Sequence, residues 1–326
     1  MAAVVSLGEL LVDMVSEAAD ASLQEAPRFL KAPGGAPANV AVGLARLGAT
    51  ASFVGQVGDD PFGEWLRHTI AAEGVDVSYL FRSQVARTTI AFVATRSDGR
   101  KDICFYRNPG ADALLNAVEL RPAMFDGAKI FHCGSVTLSQ SPAREAQLRA
   151  AKMAIERDVL VSFDPNWRPS IWLDTAEARA LIWEMISLSD IVKVADEEWE
   201  FITGTSDFEE GAAKIRAQGP RLVVITRGAD GAYFNCASGS HTIAGEVPGF
   251  PVQAVDTLGA GDAFVAGLLS QVLQHRILNG LLNEPALHQV VRFANACGAI
   301  ATQTAGAIPA LPTQSAVQQF LQAHPE

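Results

Sequence analysis

The stretch Val255-Asp256-Thr257-Leu258-Gly259-Ala260-Gly261-Asp262-Ala263-Phe264 decides how the rest of this sequence is interpreted. Gly259, Ala260 and Gly261 predict a turn with little side-chain bulk, so that a ligand can closely approach the backbone N–H groups. The residues from Ala263 onward predict a buried helix. The amides and the dipole at the N-terminus of such a helix favour an anion, and phosphate suits them best.

Asp262 stands at the end of this turn, and two roles are open to it. A carboxylate in the first turn of a helix is a common cap and dipole partner. Beside an anion-binding turn it would repel phosphate, unless it takes a proton from an attacking hydroxyl as a general base. The spacing alone does not decide between the two roles.

A second glycine pair lies near the N-terminus, in Pro33-Gly34-Gly35-Ala36-Pro37-Ala38-Asn39-Val40-Ala41. Together with Asp256-Thr257-x-Gly259-Ala260-Gly261-Asp262, it resembles the two signatures of the ribokinase-like (PfkB) sugar kinases. The resemblance runs over nearly the whole chain. It implies an ATP-dependent carbohydrate kinase in which Asp262 is the base and the amides of Gly259–Gly261 surround the transferring phosphate.

The composition excludes several classes of protein. The chain has 326 residues, of which 49% are hydrophobic and 19% charged, which is typical of a well-packed globular protein. The net charge of −11 argues against nucleic acid or an anionic membrane as a partner. Four cysteines without metal-like spacing predict reduced thiols, and no apolar run approaches the roughly 20 residues of a membrane helix. We therefore expect a cytoplasmic protein.

Strand and helix patterns alternate along most of the chain, which predicts an α/β fold. Core strands are expected at residues 2–7, 51–57, 129–133, 160–164, 191–194 and 222–226, with an antiparallel edge at 232–235 and 241–244. Right-handed crossovers then give a mostly parallel sheet covered on both faces, in a single domain over residues 1–326. Ligands of such sheets bind beyond the carboxyl ends of the strands.

One region breaks the alternation. Residues 88–95 and 103–106 read as two strands around a turn at 97–100, which predicts a β-hairpin. With the residues after Gly8, this hairpin is expected to form a small β-sheet lid from segments 10–33 and 86–112. Apolar residues alternate along 88–95, as if both faces were covered, and relatives often pair such lids. We therefore expect a homodimer through the lid.

The resemblance implies a set of sugar-binding residues, and each has an ordinary alternative. Carboxylates and amides suit sugar hydroxyls, but an acid after a strand is often solvated and paired glycines are often simple turns. Arg107 follows a predicted strand, and a lone arginine at a strand end is usually a solvated charge. Arg168 is the last residue of Asp164-Pro165-Asn166-Trp167-Arg168, which is either a structural turn or an anion contact. The implied set is Asp13, Gly34, Gly35, Asn39, Tyr106, Arg107 and Arg168.

No Walker A sequence is present, and no G-x-G-x-x-G opens a βαβ unit, so a nucleotide site must be of another kind. The resemblance assigns ATP to the loop that carries Thr226, Gly228 and Gly231 and places Asn295 near the adenine. We add Lys193, from the acidic segment Lys193-Val194-Ala195-Asp196-Glu197-Glu198, to this expected ATP site.

The ions are implied by the resemblance as well. The family often has Asn-x-x-Glu where this chain has Ala195 and Glu198, so Glu198 is the expected partner of Mg²⁺ through water. One retained carboxylate can suffice, because Mg²⁺ keeps several waters and phosphate ligands. The backbone around Asp256 and Leu258, with the loop from Ala301 to Gly306, matches the place where relatives hold a monovalent cation such as K⁺.

Within the family, the motifs are most similar to those of the fructokinase branch, which makes fructose 6-phosphate. The runner-up is the 2-keto-3-deoxygluconate kinase branch, in which Arg107 and Arg168 would hold the carboxylate of the substrate. Small pocket changes shift such preferences by only about 1–3 kcal/mol per contact. A sugar-binding regulator without catalysis is a third reading: Ala195 leaves room for it, and Asp262 argues against it.

Overall fold

A computed structural model describes residues 1–18, 20–95, 101–238, 241–275 and 284–325. In it, the strands are β1 (Val4–Leu7), β2 (Leu11–Ser16), β3 (Phe29–Gly34), β4 (Ala51–Gly58), β5 (Asp76–Ser83), β6 (Ile90–Thr95), β7 (Lys101–Tyr106), β8 (Ile130–Gly134), β9 (Leu160–Asp164), β10 (Ile191–Ala195), β11 (Leu222–Thr226), β12 (Ala232–Ser238) and β13 (His241–Val247). The helices are α1 (Ala36–Arg46), α2 (Pro61–Ala72), α3 (Ala143–Ile155), α4 (Thr175–Ser187), α5 (Asp196–Thr203), α6 (Phe208–Arg216), α7 (Ala260–His275), α8 (Glu284–Ala301), α9 (Ala307–Ala310) and α10 (Gln314–Ala323).

Nine strands form one large sheet in the order β13-β12-β11-β10-β9-β8-β1-β4-β5. The pairs from β11 to β5 are parallel, while β12 and β13 are antiparallel and form one edge. This arrangement confirms the prediction of a mostly parallel sheet with an antiparallel edge. Because the strands run the same way, the residues that follow β1, β8, β9, β10 and β11 meet at one edge of the sheet.

Helices cover both faces of this sheet, because its strands are apolar on both sides. Val4 belongs to the core on one face and Val5 to the core on the other. The first core contains buried residues of α1, α2, α7 and α8, and the second contains those of α3, α4, α5 and α6. The doubly covered sheet is therefore confirmed.

A second, four-stranded sheet has the order β3-β2-β6-β7. The β6–β7 pair is antiparallel, with Ile90 opposite Tyr106, and β2 runs parallel to β6. The predicted small sheet is therefore present and is built from the two expected segments. The predicted turn at 97–100 lies outside the described residues.

Three details of the fold differ from the sequence prediction. Strand β5, at the outer edge beside β4, was not predicted; its pairing with β4 shifts register, and this shift interrupts its apolar alternation. The short helix α9 was missed as well, and the sequence reading, which placed the start of the first helix at residue 38, was two residues late, because α1 begins at Ala36. No helix among the described ranges is long and apolar enough to cross a membrane.

Candidate active site

The predicted general base lies at the edge of the sheet where the strands end. Asp262 is in the first turn of α7 and only 9% exposed, and Asn39 of α1 donates a hydrogen bond from Nδ2 to its Oδ2 at 2.8 Å. Burial raises the pKa of Asp262 to about 6, against the Asn39 hydrogen bond and the charges of Lys193 and Arg168, which lower it. A carboxylate with this pKa is ionised at neutral pH and can still accept a proton.

Lys193 and Asp164 form a buried ion pair beside this carboxylate. The Nζ of Lys193, on β10, lies 3.2 Å from Oδ2 of Asp164, at the end of β9. Burial alone would lower the pKa of Lys193, but the carboxylates of Asp164 and Glu198 outweigh it, so the pKa is raised and the ammonium group is kept. A Cβ at Gly261 would lie 3.4 Å from the same Nζ, so the lysine faces the glycine turn.

Glu198 lies at the start of α5, where its side chain satisfies the backbone. Its Oε1 accepts the N–H of Ala195 at 3.0 Å, and its Oε2 accepts the N–H of Trp167 at 2.6 Å. The first bond is the carboxylate half of a capping box, which needs no side chain at Ala195. Burial raises the pKa of Glu198, and the nearby Asp164 charge adds to the rise.

The charges of this centre favour a cation with phosphates. The Asp164 charge raises the pKa of both Glu198 and Asp262, Lys193 lowers both, and Arg168 lowers that of Asp262. No group of three or more described His, Cys, Asp or Glu side chains is arranged to ligate one metal ion. A carboxylate such as that of Glu198 is a ligand that Mg²⁺ accepts together with waters and phosphate oxygens.

The turn before α1 brings the predicted sugar-binding residues together. A Cβ at Gly34 would stand 2.0 Å from Oδ2 of Asp13, so this carboxylate lies directly against the glycine backbone. Gly35 has φ of +111°, and a Cβ there would meet the Glu9 carbonyl oxygen at 2.3 Å, so only glycine fits. Asp13, Gly34, Gly35 and Asn39 therefore share one short region at the junction of the two sheets.

Arg107, which directly follows β7, is buried in an ion pair. Arg107 donates from Nε to Oδ2 of Asp112 at 2.7 Å and from Nη1 to Oγ of Ser139 at 3.0 Å. It is therefore not the solvated charge that a lone arginine at a strand end usually is. Its neighbour Tyr106 is 66% exposed and packs edge-on against Phe92. The predicted aromatic–arginine pair thus points in two directions, and only Arg107 is buried.

The expected nucleotide loop follows β11 and joins the antiparallel edge. The chain turns through Gly228 and Gly231 after Thr226, and the Arg227 N–H donates to the Gly231 carbonyl at 2.8 Å. Asn295, on α8, donates from Nδ2 to the carbonyls of Val247 and Pro248, both at 3.1 Å. In the described structure, Asn295 therefore anchors the segment after β13, a role that the sequence did not indicate.

The two segments of the expected monovalent-cation site are in contact. The Asp256 carboxylate accepts the N–H of Leu258 at 2.9 Å and the N–H of Gly306 at 2.9 Å, and thereby ties them together. Ala301 is the buried last residue of α8, so it borders the expected loop. The Ala260 N–H is engaged inside the glycine turn by the Thr257 carbonyl at 3.3 Å.

Two buried acids next to the site were missed as candidates. Glu9 is 3% exposed and Asp112 is 4% exposed, and both lie at connections between the two sheets. Glu9 accepts from Ala36, 27 residues away, while Asp112 accepts from Thr89, 23 residues away, and from Arg107, five residues away. The sequence signal that could have identified Glu9 is its position as a charged residue just after the apolar strand β1.

Comparisons with known proteins give consistent results. The model of the pfkB family of carbohydrate kinases matches residues 1–314. Fructokinase-1 of Zea mays is 45% identical over 320 residues, which are 98% of this chain and 97% of that protein. The fructokinase of Xylella fastidiosa, solved with bound ATP, is 33% identical with a TM-score of 0.90, over 100% of both chains.

The fructokinase of Vibrio cholerae, solved with fructose, ADP and calcium, is 36% identical with a TM-score of 0.85, over 98% of this chain and 99% of that one. A double mutant of the same enzyme was solved with fructose, ADP and potassium.

Proposed function

Because the chain belongs to the pfkB family of carbohydrate kinases, it is a phosphotransferase that acts on a sugar hydroxyl, and we propose that it phosphorylates fructose with ATP. The observation that carries this proposal is the buried Asp262, held by Asn39 at the N-terminus of α7, beside Lys193 and the glycine turn. The product is fructose 6-phosphate. Relatives that share nearly the full length of the chain are fructokinases, which supports this substrate.

In this mechanism Asp262 accepts the proton of the attacking hydroxyl. Its carboxylate is ionised above about pH 6, and Asn39 fixes one of its oxygens so that the other faces the substrate. The glycine turn and the α7 N-terminus stabilise the negative charge of the transferring phosphoryl group. Lys193, which stays protonated, adds a fixed positive charge at the turn. The reaction thus depends mainly on positioning and on charge stabilisation.

The proposed sites for ATP and the ions rest mainly on the ligands bound by relatives. The ATP complex of the Xylella relative supports a nucleotide site here, which we place at the loop of Thr226, Gly228 and Gly231. Mg²⁺ is proposed at the phosphates, with Glu198 contributing through water, and when bound it would neutralise phosphate charge. We propose K⁺ at the backbone tied together by Asp256, which the potassium-bound Vibrio relative supports.

The second sheet is proposed to act as a lid and as a dimer interface. On one face it presents the rings of Phe29, Phe92 and Tyr106, which pack edge-on, and Tyr106 is 66% exposed. Pairing of two lids in a homodimer would cover this face. The cytoplasm is the proposed compartment, because all four cysteines are free thiols. Sedimentation at micromolar concentration tests the dimer: we expect a dimer mass that Phe29→Asp reduces, and a monomeric wild type would contradict it.

The substrate is tested by ADP release with Mg·ATP on fructose, 2-keto-3-deoxygluconate, ribose and adenosine. We expect fast turnover on fructose and slow turnover on the others. Turnover on 2-keto-3-deoxygluconate alone would leave the role of Asp262 as the base unchanged. It would indicate that Arg107 and Arg168 bind the carboxylate of that substrate. Sugar binding without turnover on any acceptor would favour the regulator.

A further inference from the structure

Four connections join the nine-stranded sheet to the second sheet, and one group of buried polar residues contacts all four. Glu9 lies between β1 and β2, and Thr89 lies between β5 and β6. Arg107 and Asp112 follow β7. The remaining connection, from β3 to α1, reaches the group through the backbone of Ala36. We call Glu9, Thr89, Arg107 and Asp112 the hinge cluster.

Hydrogen bonds join Thr89 and Arg107 to Asp112, and a separate bond joins Glu9 to the start of α1. Oε1 of Glu9 accepts the Ala36 N–H at 3.0 Å. Asp112 accepts from Thr89 Oγ1 at 2.5 Å and from Arg107 Nε at 2.7 Å. The charges of Asp112 and Arg107 both act on the Glu9 carboxyl. All four side chains are at most 7% exposed, so water screens these interactions little.

The cluster is not fully satisfied in this conformation. Oε2 of Glu9 and Nη2 of Arg107 are buried and find no hydrogen-bond partner within the described structure. Buried polar atoms without partners are costly, so the position of the Glu9 carboxyl group matters for the packing between the two sheets.

Glu9 is also connected to the catalytic carboxylate through the first turn of α1. The N–H whose hydrogen bond Glu9 accepts belongs to Ala36, the first residue of α1. Asn39 follows three residues later in the same turn, where its N–H donates to the Gly35 carbonyl at 2.9 Å and its side chain to Asp262 at 2.8 Å. A displacement of Ala36 would thus move the group that orients Asp262.

We propose that Glu9 is a positioning residue for phosphoryl transfer, which fixes the turn before α1 and, through it, Asn39 and Asp262. The kinetic part of this proposal rests on the proposed function. Burial raises the pKa of Glu9 to about 7, and Asp112 contributes to the rise. Glutamine, which resembles the neutral acid and keeps the acceptor for the Ala36 N–H, is therefore the conservative replacement.

The test compares Glu9→Ala, Glu9→Gln and a matched control, Asp190→Ala. Asp190 is also a carboxylate with a raised pKa that accepts one backbone N–H, that of Val161 at 2.9 Å, but it lies at the opposite edge of the sheet. Steady-state ADP release gives kcat and the KM values for fructose and ATP. Hydrogen exchange of residues 34–36 and 107–112 reports on the cluster without any substrate.

We expect Glu9→Ala to lose at least about 10-fold in kcat/KM for fructose, because small misplacement near a reacting group is costly, while KM for ATP stays within about twofold. Amides of residues 34–36 should exchange about tenfold faster, because the Ala36 N–H loses its acceptor. Residues 107–112 should keep their rate, because Asp112 keeps its bonds to Arg107 and Thr89. Glu9→Gln should restore both readouts, and Asp190→Ala should change neither.

Four results would overturn the proposal: full activity in Glu9→Ala, no restoration by Glu9→Gln, unchanged exchange of residues 34–36 in Glu9→Ala, or an equal effect of Asp190→Ala. A wild type without turnover on fructose would instead contradict the proposed function. Hydrogen exchange would still decide whether Glu9 fixes the turn before α1.

Discussion

At the residue scale, the chemistry depends on a balance of charge around one carboxylate. Burial raises the pKa of Asp262, while Asn39, Lys193 and Arg168 act to lower it. The net result is a pKa raised from 3.8 to about 6. The carboxylate form is therefore present at neutral pH and is lost as the pH falls through about 6. Activity that needs a base must decline over the same range, because the protonated acid cannot accept a proton.

Asn39→Ala should move this decline to higher pH. The hydrogen bond from Nδ2 lowers the pKa of Asp262, so its removal leaves burial less opposed. The measurement is the pH dependence of kcat/KM for fructose, which reports the free enzyme. Asn235→Ala is the control, since Asn235 is an equally buried asparagine on β12, whose Nδ2 donates to Tyr233. An unchanged acidic limb in Asn39→Ala would show that Asn39 does not set this pKa.

The sequence revealed some of these residues and concealed others. Asp262 and Gly259–Gly261 lie within one motif, so their proximity was predictable. The Lys193–Asp164 pair joins residues 29 positions apart, and no spacing rule connects them. The contacts of Glu9 and Asp112 arise only where the two sheets meet, which depends on the tertiary structure.

At the element scale, the turn between β3 and α1 determines where Asn39 lies. Gly35 has φ of +111° and contacts the Glu9 carbonyl oxygen, which leaves no space for a side chain. Most other elements were predictable because their apolar periodicity is strong. Strand β5 was not, since the register shift against β4 and the consecutive apolar residues Tyr79, Leu80 and Phe81 interrupt its alternation.

Gly35→Ala should reduce both stability and fructose turnover, and Gly48→Ala is the matched control. Gly48 also has a positive φ, of +85°, but nothing lies within 4 Å of a Cβ there. We expect Gly48→Ala to cost only the backbone strain, about 1–2 kcal/mol, with kcat/KM unchanged. Gly35→Ala should cost more and lower kcat/KM for fructose. Equal effects of the two variants in urea unfolding and in kinetics would contradict a specific contact at Gly35.

At the scale of the whole molecule, a buried acid between the two sheets links stability to pH. The pKa of Glu9 is raised from 4.5 to about 7, so the folded protein binds a proton there that the unfolded chain releases. Stability from this group is full below about pH 4.5 and is lost as the pH rises to about 7. The loss corresponds to about 3 kcal/mol.

Glu9→Gln should abolish this loss, because an amide does not ionise. In urea unfolding, the free energy of Glu9→Gln relative to wild type should therefore become more favourable between pH 5 and pH 8. Comparing the two proteins at each pH cancels the contribution of every other titrating group. A difference that does not depend on pH would mean that Glu9 is ionised at both values.

The central claim is that Asp262 accepts the proton during phosphoryl transfer to fructose. The most direct test is the rate of ADP release with Mg·ATP and saturating fructose for wild type, Asp262→Asn and Asp262→Ala. We expect kcat to fall by about 10²–10⁴-fold in both variants, which is the usual contribution of a positioned base, while calorimetry shows that fructose still binds. Turnover close to that of wild type in either variant would contradict it.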